Sequence, residues 1–434
     1  MSVSLQHKIY NALNGASAND DALGISERAS KYGQSNYFKI LLALTFTKLG
    51  DALSNPKTVL TWLMAYVSAP VYLISLIVPI RESGSMLPQI AISNYVKTKA
   101  IRKWIWVTGS ILQAIAIASI GLIALHFEGA LAGWLIVLCL ILFSLARSLC
   151  SVTSKDVTGK AITKSVRGKL SGYTASVSGV LVLLAGLYII YKSESDATIS
   201  FYSTLIFFAA STWIIATIIY ASIKEFPGET EVESIEENPV SKFALLKNDK
   251  DFRDFVIARS LLLCSALSAP FYVILAQTYL GNSSSVLGYL IVANGIASIV
   301  SSPFWGKLAD TSSKNTMSYA IIIASVLGTV LFIIVSFSES IREAQWLYPF
   351  VFFVLGIAHG GVRLGRKTYV VNMAKGNQRT DYVAVSNTVI GIILLITGGL
   401  SALTSLFSVE LVILLLSLFG LIGAYKSYRL KQVE

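Results

Sequence analysis

The residues of this 434-residue chain that could do chemistry are ionisable side chains set inside long apolar stretches. In the first stretch Thr45, Lys48, Asp51, Asn55 and Thr58 recur every three or four positions, which places them on one helical face. Pro56 follows Asn55 directly; proline lacks a backbone donor and clashes with the preceding turn, so it frees carbonyls beside that face. In the second stretch Arg81 and Glu82 are adjacent and diverge by about 100° on an ideal helix. Each therefore needs a partner on another element. Depth and sign select Arg81 with Asp51 and Glu82 with Arg147.

Two more stripes carry cations. Arg147, Ser151, Ser154, Lys155 and Thr158 form one, and His359, Arg363, Arg366 and Lys367 form the other. An ionisable group at mid-membrane costs from about 2.5 kcal/mol upward, so it is retained only when paired, facing water or working. Lys48, Arg81, Arg147, Arg259, His359 and Arg363 outnumber Asp51 and Glu82, and a cavity lined by them is net positive. Such a cavity suits a carboxylate or phosphate, which an arginine fork grips through paired hydrogen bonds. The expected substrate-binding set is Lys48, Asn55, Arg81, Arg147, His359 and Arg363. Asp51 and Glu82 are the expected proton carriers, because burial and a nearby arginine push a carboxyl's proton affinity in opposite directions. His359, which titrates near neutrality when unperturbed, is a further candidate.

The elements that position these groups are twelve apolar stretches beginning near 38, 70, 101, 129, 168, 199, 252, 284, 315, 344, 380 and 407. A helix needs only about 20 residues to cross the hydrocarbon core. Hydrophobic residues make up 54% and charged residues 14%, which excludes an ordinary soluble domain. The stretches are too long and too uniformly apolar for barrel strands, so the expected fold is an all-α integral membrane protein. A net charge of +11 would suggest nucleic acid in a soluble protein. Here 28 of the 35 Lys and Arg residues fall in alternate connections and tails, and only Lys192 and Arg342 fall in the opposite set. That sorting predicts both termini in the cytoplasm, an even number of crossings and no nucleic-acid partner.

The polar interruption at 224–251 divides the stretches six and six. The expected organisation is a cytoplasmic tail over 1–37 without a cleavable signal, a six-helix bundle over 38–223, a cytoplasmic linker over 224–251 with an acidic run from Glu225 to Glu237, and a second bundle over 252–430. The halves repeat. Ala52-Leu53-Ser54-Asn55-Pro56 returns as Ala266-Leu267-Ser268-Ala269-Pro270, and Arg147, Lys155 and Arg167 stand 212 residues before His359, Lys367 and Arg379. Six crossings restore the starting side, so the repeats are parallel, and paired repeats of this kind place a site between them near the midplane.

Gly306-Lys307-Leu308-Ala309-Asp310, leaving the eighth stretch for a short loop with Lys314, resembles the G-x-L-A-D loop of the major facilitator superfamily; Arg167-Gly168-Lys169-Leu170-Ser171-Gly172 resembles it more loosely. Thr311, Ser313 and Asn315 stand where the pattern has Arg, Gly and a further basic residue. The resemblance implies two six-helix bundles that rock about a central site, with Gly306, Asp310 and Lys314 in a gating loop. It also implies a secondary transporter, expected to be a monomer in a bacterial inner membrane; the charged residues add the expectation of a small anionic solute, with H+ as a candidate coupling ion. A transporter-like sensor and a lipid translocator are the rivals. A membrane enzyme is disfavoured by the lack of an H-E-x-x-H or nucleotide-loop motif, and Cys139, Cys150 and Cys264 share no metal spacing with His7, His126 and His359, so no metal or other cofactor is expected.

Overall fold

Apolar runs of this length can satisfy their backbone groups in hydrocarbon only by coiling. A computed structural model describes residues 3–14, 27–192, 197–228, 230, 243–373 and 378–434. Residues 229 and 231–242 of the 224–251 linker, including the acidic run beyond 230, lie outside the described residues. Among those described, all regular structure is helical. Counting only the helices that cross, α1 is Gly33–Leu53 continued by Val59–Tyr66, and α2 is Val71–Met86 continued by Gln89–Lys97. Then follow α3 (Lys103–His126), α4 (Gly129–Ala161), α5 (Lys164–Tyr191) and α6 (Ile199–Ala221). In the second half α7 is built from Lys250–Leu261, Cys264–Leu267 and Ala269–Leu280. It is followed by α8 (Ser284–Thr311), α9 (Ser313–Phe337), α10 (Leu347–Met373), α11 (Gln378–Ser405) and α12 (Val409–Tyr428).

Ten of these, α3 to α12, are long and apolar enough to span a membrane by length and composition alone. The exceptions are α1 and α2, interrupted by breaks and by Lys48, Asp51, Arg81 and Glu82. Helices α1 and α7, which occupy equivalent places in the two halves, are both broken part-way across.

The repeat extends to the helix ends. Glu225, after α6, accepts the backbone N–H groups of Arg102 (3.0 Å) and Lys103 (2.7 Å) at the start of α3, and Lys103 Nζ donates to the Ala221 (2.8 Å) and Ile223 (2.7 Å) carbonyls. One repeat later Glu434, after α12, accepts from Ser313 N–H (2.8 Å) at the start of α9, while Lys314 Nζ donates to the Leu430 carbonyl (3.0 Å). Each acid meets the positive end of one helix and each lysine the free carbonyls of another.

The halves meet along α2 with α11 and α5 with α8. Pro79 packs where a Cβ on Gly398 would lie 2.3 Å from its ring, so only glycine lets α11 come this close. On the face away from the termini, Gln277 Nε2 donates to the Trp62 carbonyl (3.4 Å) and the Tyr202 hydroxyl to the Asn282 carbonyl (2.7 Å), both across the halves. That face is closed.

Candidate functional site

The break in α1 begins at Ser54 and is shaped by its own residues. Asn55 Oδ1 accepts the Lys57 N–H (2.8 Å), the Asn55 carbonyl takes the Leu60 N–H (3.0 Å), and the Thr61 hydroxyl caps the Pro56 carbonyl (2.6 Å). The freed Ser54 carbonyl is met by Arg81 Nη1 at 3.4 Å. Arg81 Nη2 also donates to Asp51 Oδ1 (2.7 Å), and its guanidinium lies 4.9 Å above the Phe143 ring. Arg147 from α4 donates to the same Asp51 oxygen. A Cβ on Gly84 would stand 2.0 Å from Ser144 Oγ, so glycine lets α2 and α4 close up, one turn from both arginines.

Across the break, Lys57 Nζ lies 3.2 Å from His359 Nε2, and Ser265 Oγ lies 3.3 Å from His359 Nδ1. An ammonium offers only donors, so Nε2 accepts and Nδ1 carries the proton. The Ser265 hydroxyl passes its own hydrogen on to the Leu262 carbonyl at 3.1 Å. This chain joins α1, α10 and the middle of α7 at the closed end of a cavity of about 340 Å³ between the halves. Its charged walls differ. The first half contributes Asp51, Glu82, Lys57, Arg81 and Arg147; the second contributes His359, Arg363 and Arg366 and no acid. Five cations thus face two carboxylates. Arg363 is exposed and marks the mouth, toward the termini.

The major facilitator superfamily model matches residues 255–430. Three solved structures share the fold over nearly the whole chain. A D-xylose-proton symporter is 12% identical, with 91% of this chain and 97% of that one covered at a TM-score of 0.68. The nucleoside transporter NupG is 12% identical, with 91% and 98% covered at 0.64. A POT family transporter in complex with 5-aminolevulinic acid is 10% identical, with 90% and 94% covered at 0.68. The second half of the chain therefore matches the major facilitator superfamily in sequence, and the whole chain shares the fold of these transporters. No curated protein matches it in sequence.

Of the residues singled out from the sequence, Asp51, Asn55, Arg81, Glu82, Arg147, His359 and Arg363 all line this cavity. Lys48 is exposed and does not line it, standing within the field of Arg363 and Asp51. The single face drawn through Thr45, Lys48, Asp51, Asn55 and Thr58 ends at the break, where the helical register restarts at Val59. The Arg81–Asp51 pair forms. The expected Glu82–Arg147 pair does not: Arg147 turns to Asp51, and among the described residues Glu82 makes no ion pair, although Lys57, Arg147, Arg81 and Arg366 surround it. A carboxylate has lone pairs enough for two guanidiniums, and Asp51 takes both.

Gly306 and Asp310 fall in the last turns of α8 rather than in a loop, and Asp310 is exposed. Lys314 is bound within its own half, to the carbonyls after α12. Arg259 is buried outside the cavity and donates to Ser386 Oγ (2.7 Å) and Asn387 Oδ1 (2.9 Å) of α11. Sequence reasoning passed over Lys57 and Arg366 as site residues. Positive-side sorting alone accounted for Arg366; its spacing of three from Arg363 was the signal that it shares that residue's face.

Proposed function

We propose that this chain is a secondary transporter that carries a small anionic solute by alternating access of its two halves. One observation carries the reading: the cavity between the halves has five cations against two acids, and its second-half wall has no acid at all. The sequence pointed to Arg81, Arg147 and Arg363 as the anion's ligands. Arg81 is already committed to Asp51 and the Ser54 carbonyl, so Arg147, Arg363 and Arg366 are the arginines with donors to spare. Lys57 and His359 bound the inner end.

Asp51, clamped by two guanidiniums, braces the site, and Glu82, free of a direct partner, is the carboxyl able to exchange a proton. The likeness to a D-xylose-proton symporter supports proton linkage only as a fold precedent. Positive-side sorting supports cytoplasmic termini, a cytoplasmic linker over 224–251 joining bundles over 38–223 and 252–430, and a site now open to the cytoplasm. The function is tested by reconstituting the purified chain in liposomes with an imposed pH gradient and measuring uptake of labelled organic anions, neutral solutes and cations. Accumulation of an anion above its equilibrium level supports the reading. Accumulation of cations or neutral solutes alone refutes it, and flux of labelled lipid instead would favour a lipid translocator.

A further inference from the structure

We propose, resting on the anionic-solute reading, that the solute is multivalent: a small body carrying at least two negative charges at neutral pH, either a phosphate ester or a short di- or tricarboxylate. The cavity's surplus of three positive charges follows from its lining, five cations against Asp51 and Glu82. Its location matters as much as its size. Asp51 is shared by Arg81 and Arg147, which leaves the first-half cluster close to balance. Lys57 is hydrogen-bonded to an uncharged imidazole nitrogen, which takes up a donor but neutralises nothing. Among the described residues Arg363 and Arg366 have neither a hydrogen bond nor an ion pair to the protein, and no acid stands on their wall.

Water now offsets this surplus at the exposed Arg363. Alternating access requires the open face to close, and the closed site loses that water. A charge removed from water without a partner is costly, so the occluded state forms readily only when the solute brings the missing negative charge. A monoanion leaves two positive charges enclosed; a di- or trianion leaves one or none. The two guanidiniums, three residues apart on α10, face Arg147 across the cavity, and each planar fork can take two oxygens of a carboxylate or phosphate. The space also favours a small body, since the cavity measures about 340 Å³.

The test is binding to the purified full-length chain, by calorimetry and thermal unfolding, of glycerol 3-phosphate, succinate and citrate against dimethyl phosphate, lactate and glycerol. The multivalent probes are expected to bind about tenfold or more tightly than the monoanions, as one added charged hydrogen bond would give. Arg363→Gln and Arg366→Gln, each monitored for folding by circular dichroism, should each remove most of that preference. Glycerol 3-phosphate ahead of succinate and citrate identifies a phosphate site, and the reverse order a carboxylate site. Lactate and dimethyl phosphate binding as tightly as their multivalent counterparts overturns multivalency while leaving an anion carrier. Binding of glycerol or cations alone overturns both readings. No multivalent probe bound at about 1 mM, the upper end of usual KM values, overturns the proposal as well.

Discussion

Replacing Asp51 with Asn tests the frame of the site, because it keeps the side chain's size and removes the one charge that holds two arginines. The two bonds are unequal. Arg81 is 7% exposed and Asp51 20%, so loss of that pair leaves a guanidinium buried without a counter-ion. Breaking a buried pair from one side costs about 3–5 kcal/mol. Arg147 is 36% exposed, so water screens its bond and its share is that of a surface pair, about 0–1 kcal/mol. The Asn oxygen still accepts one hydrogen bond, which returns about 1 kcal/mol. The expected net loss is about 3 kcal/mol, nearly all of it through Arg81. Equilibrium unfolding of the purified chain in mixed micelles, followed by tryptophan fluorescence, measures it. Asp51→Asn with Arg81→Gln should recover much of the loss, with a coupling of about 2 kcal/mol, whereas Asp51→Asn with Arg147→Gln should couple by under about 1 kcal/mol. A single variant within about 1 kcal/mol of the parent, or stronger coupling to Arg147 than to Arg81, would refute the reasoning.

Glu82→Gln should abolish dependence of uptake on the pH gradient, and gradient-driven uptake at the parental rate would remove Glu82 as the proton site. Gly84→Val should separate α2 from α4, because a Cβ there would stand 2.0 Å from Ser144 Oγ, with a stability loss of about 1–3 kcal/mol and weakened anion binding; an unperturbed melting curve would show that the helices have slack. Asp249 caps α7 by accepting the Phe252 N–H (3.0 Å) and the Tyr382 hydroxyl. Partial burial works against its charge, but those two donors hold its carboxyl below the ordinary value of 3.8. Its charged form therefore stabilises the fold fully above that value, and the contribution fades as pH falls through the lowered pKa. Asp249→Ala should cost about 1 kcal/mol at pH 7 and less near pH 3, and an equal cost at both would remove the charge from the account. Cysteines introduced at Ser338 and Ser234 should be labelled from outside and inside the cell respectively, and the reverse pattern would invert the orientation argued from basic residues.

The sequence alone determined the properties that each residue's immediate surroundings decide. Ten of the crossings follow from the length of apolar runs in a medium that forbids unpaired backbone, and the break in α1 follows from Pro56, whose ring disrupts its own turn wherever the helix lies. The repeat was legible too, from Ser54-Asn55-Pro56 recurring as Ser268-Ala269-Pro270 and from the matching stripes on α4 and α10. Partner choice was not legible. Arg147 could reach Asp51 or Glu82 by depth and sign, and only the packing of α1, α2 and α4 together decided that Asp51 takes both arginines and Glu82 neither. Nothing in the spacing of Lys57 pointed to His359, yet the restart of α1 after Asn55 turns it across the halves onto that imidazole. Lys48 stood on the expected face and yet is exposed outside the cavity, because helical periodicity gives a residue's angle about its own axis and not what stands opposite. Hydropathy and proline act locally and survive in one dimension, whereas which charges meet depends on the distance between helices far apart in the chain, and packing alone decides that.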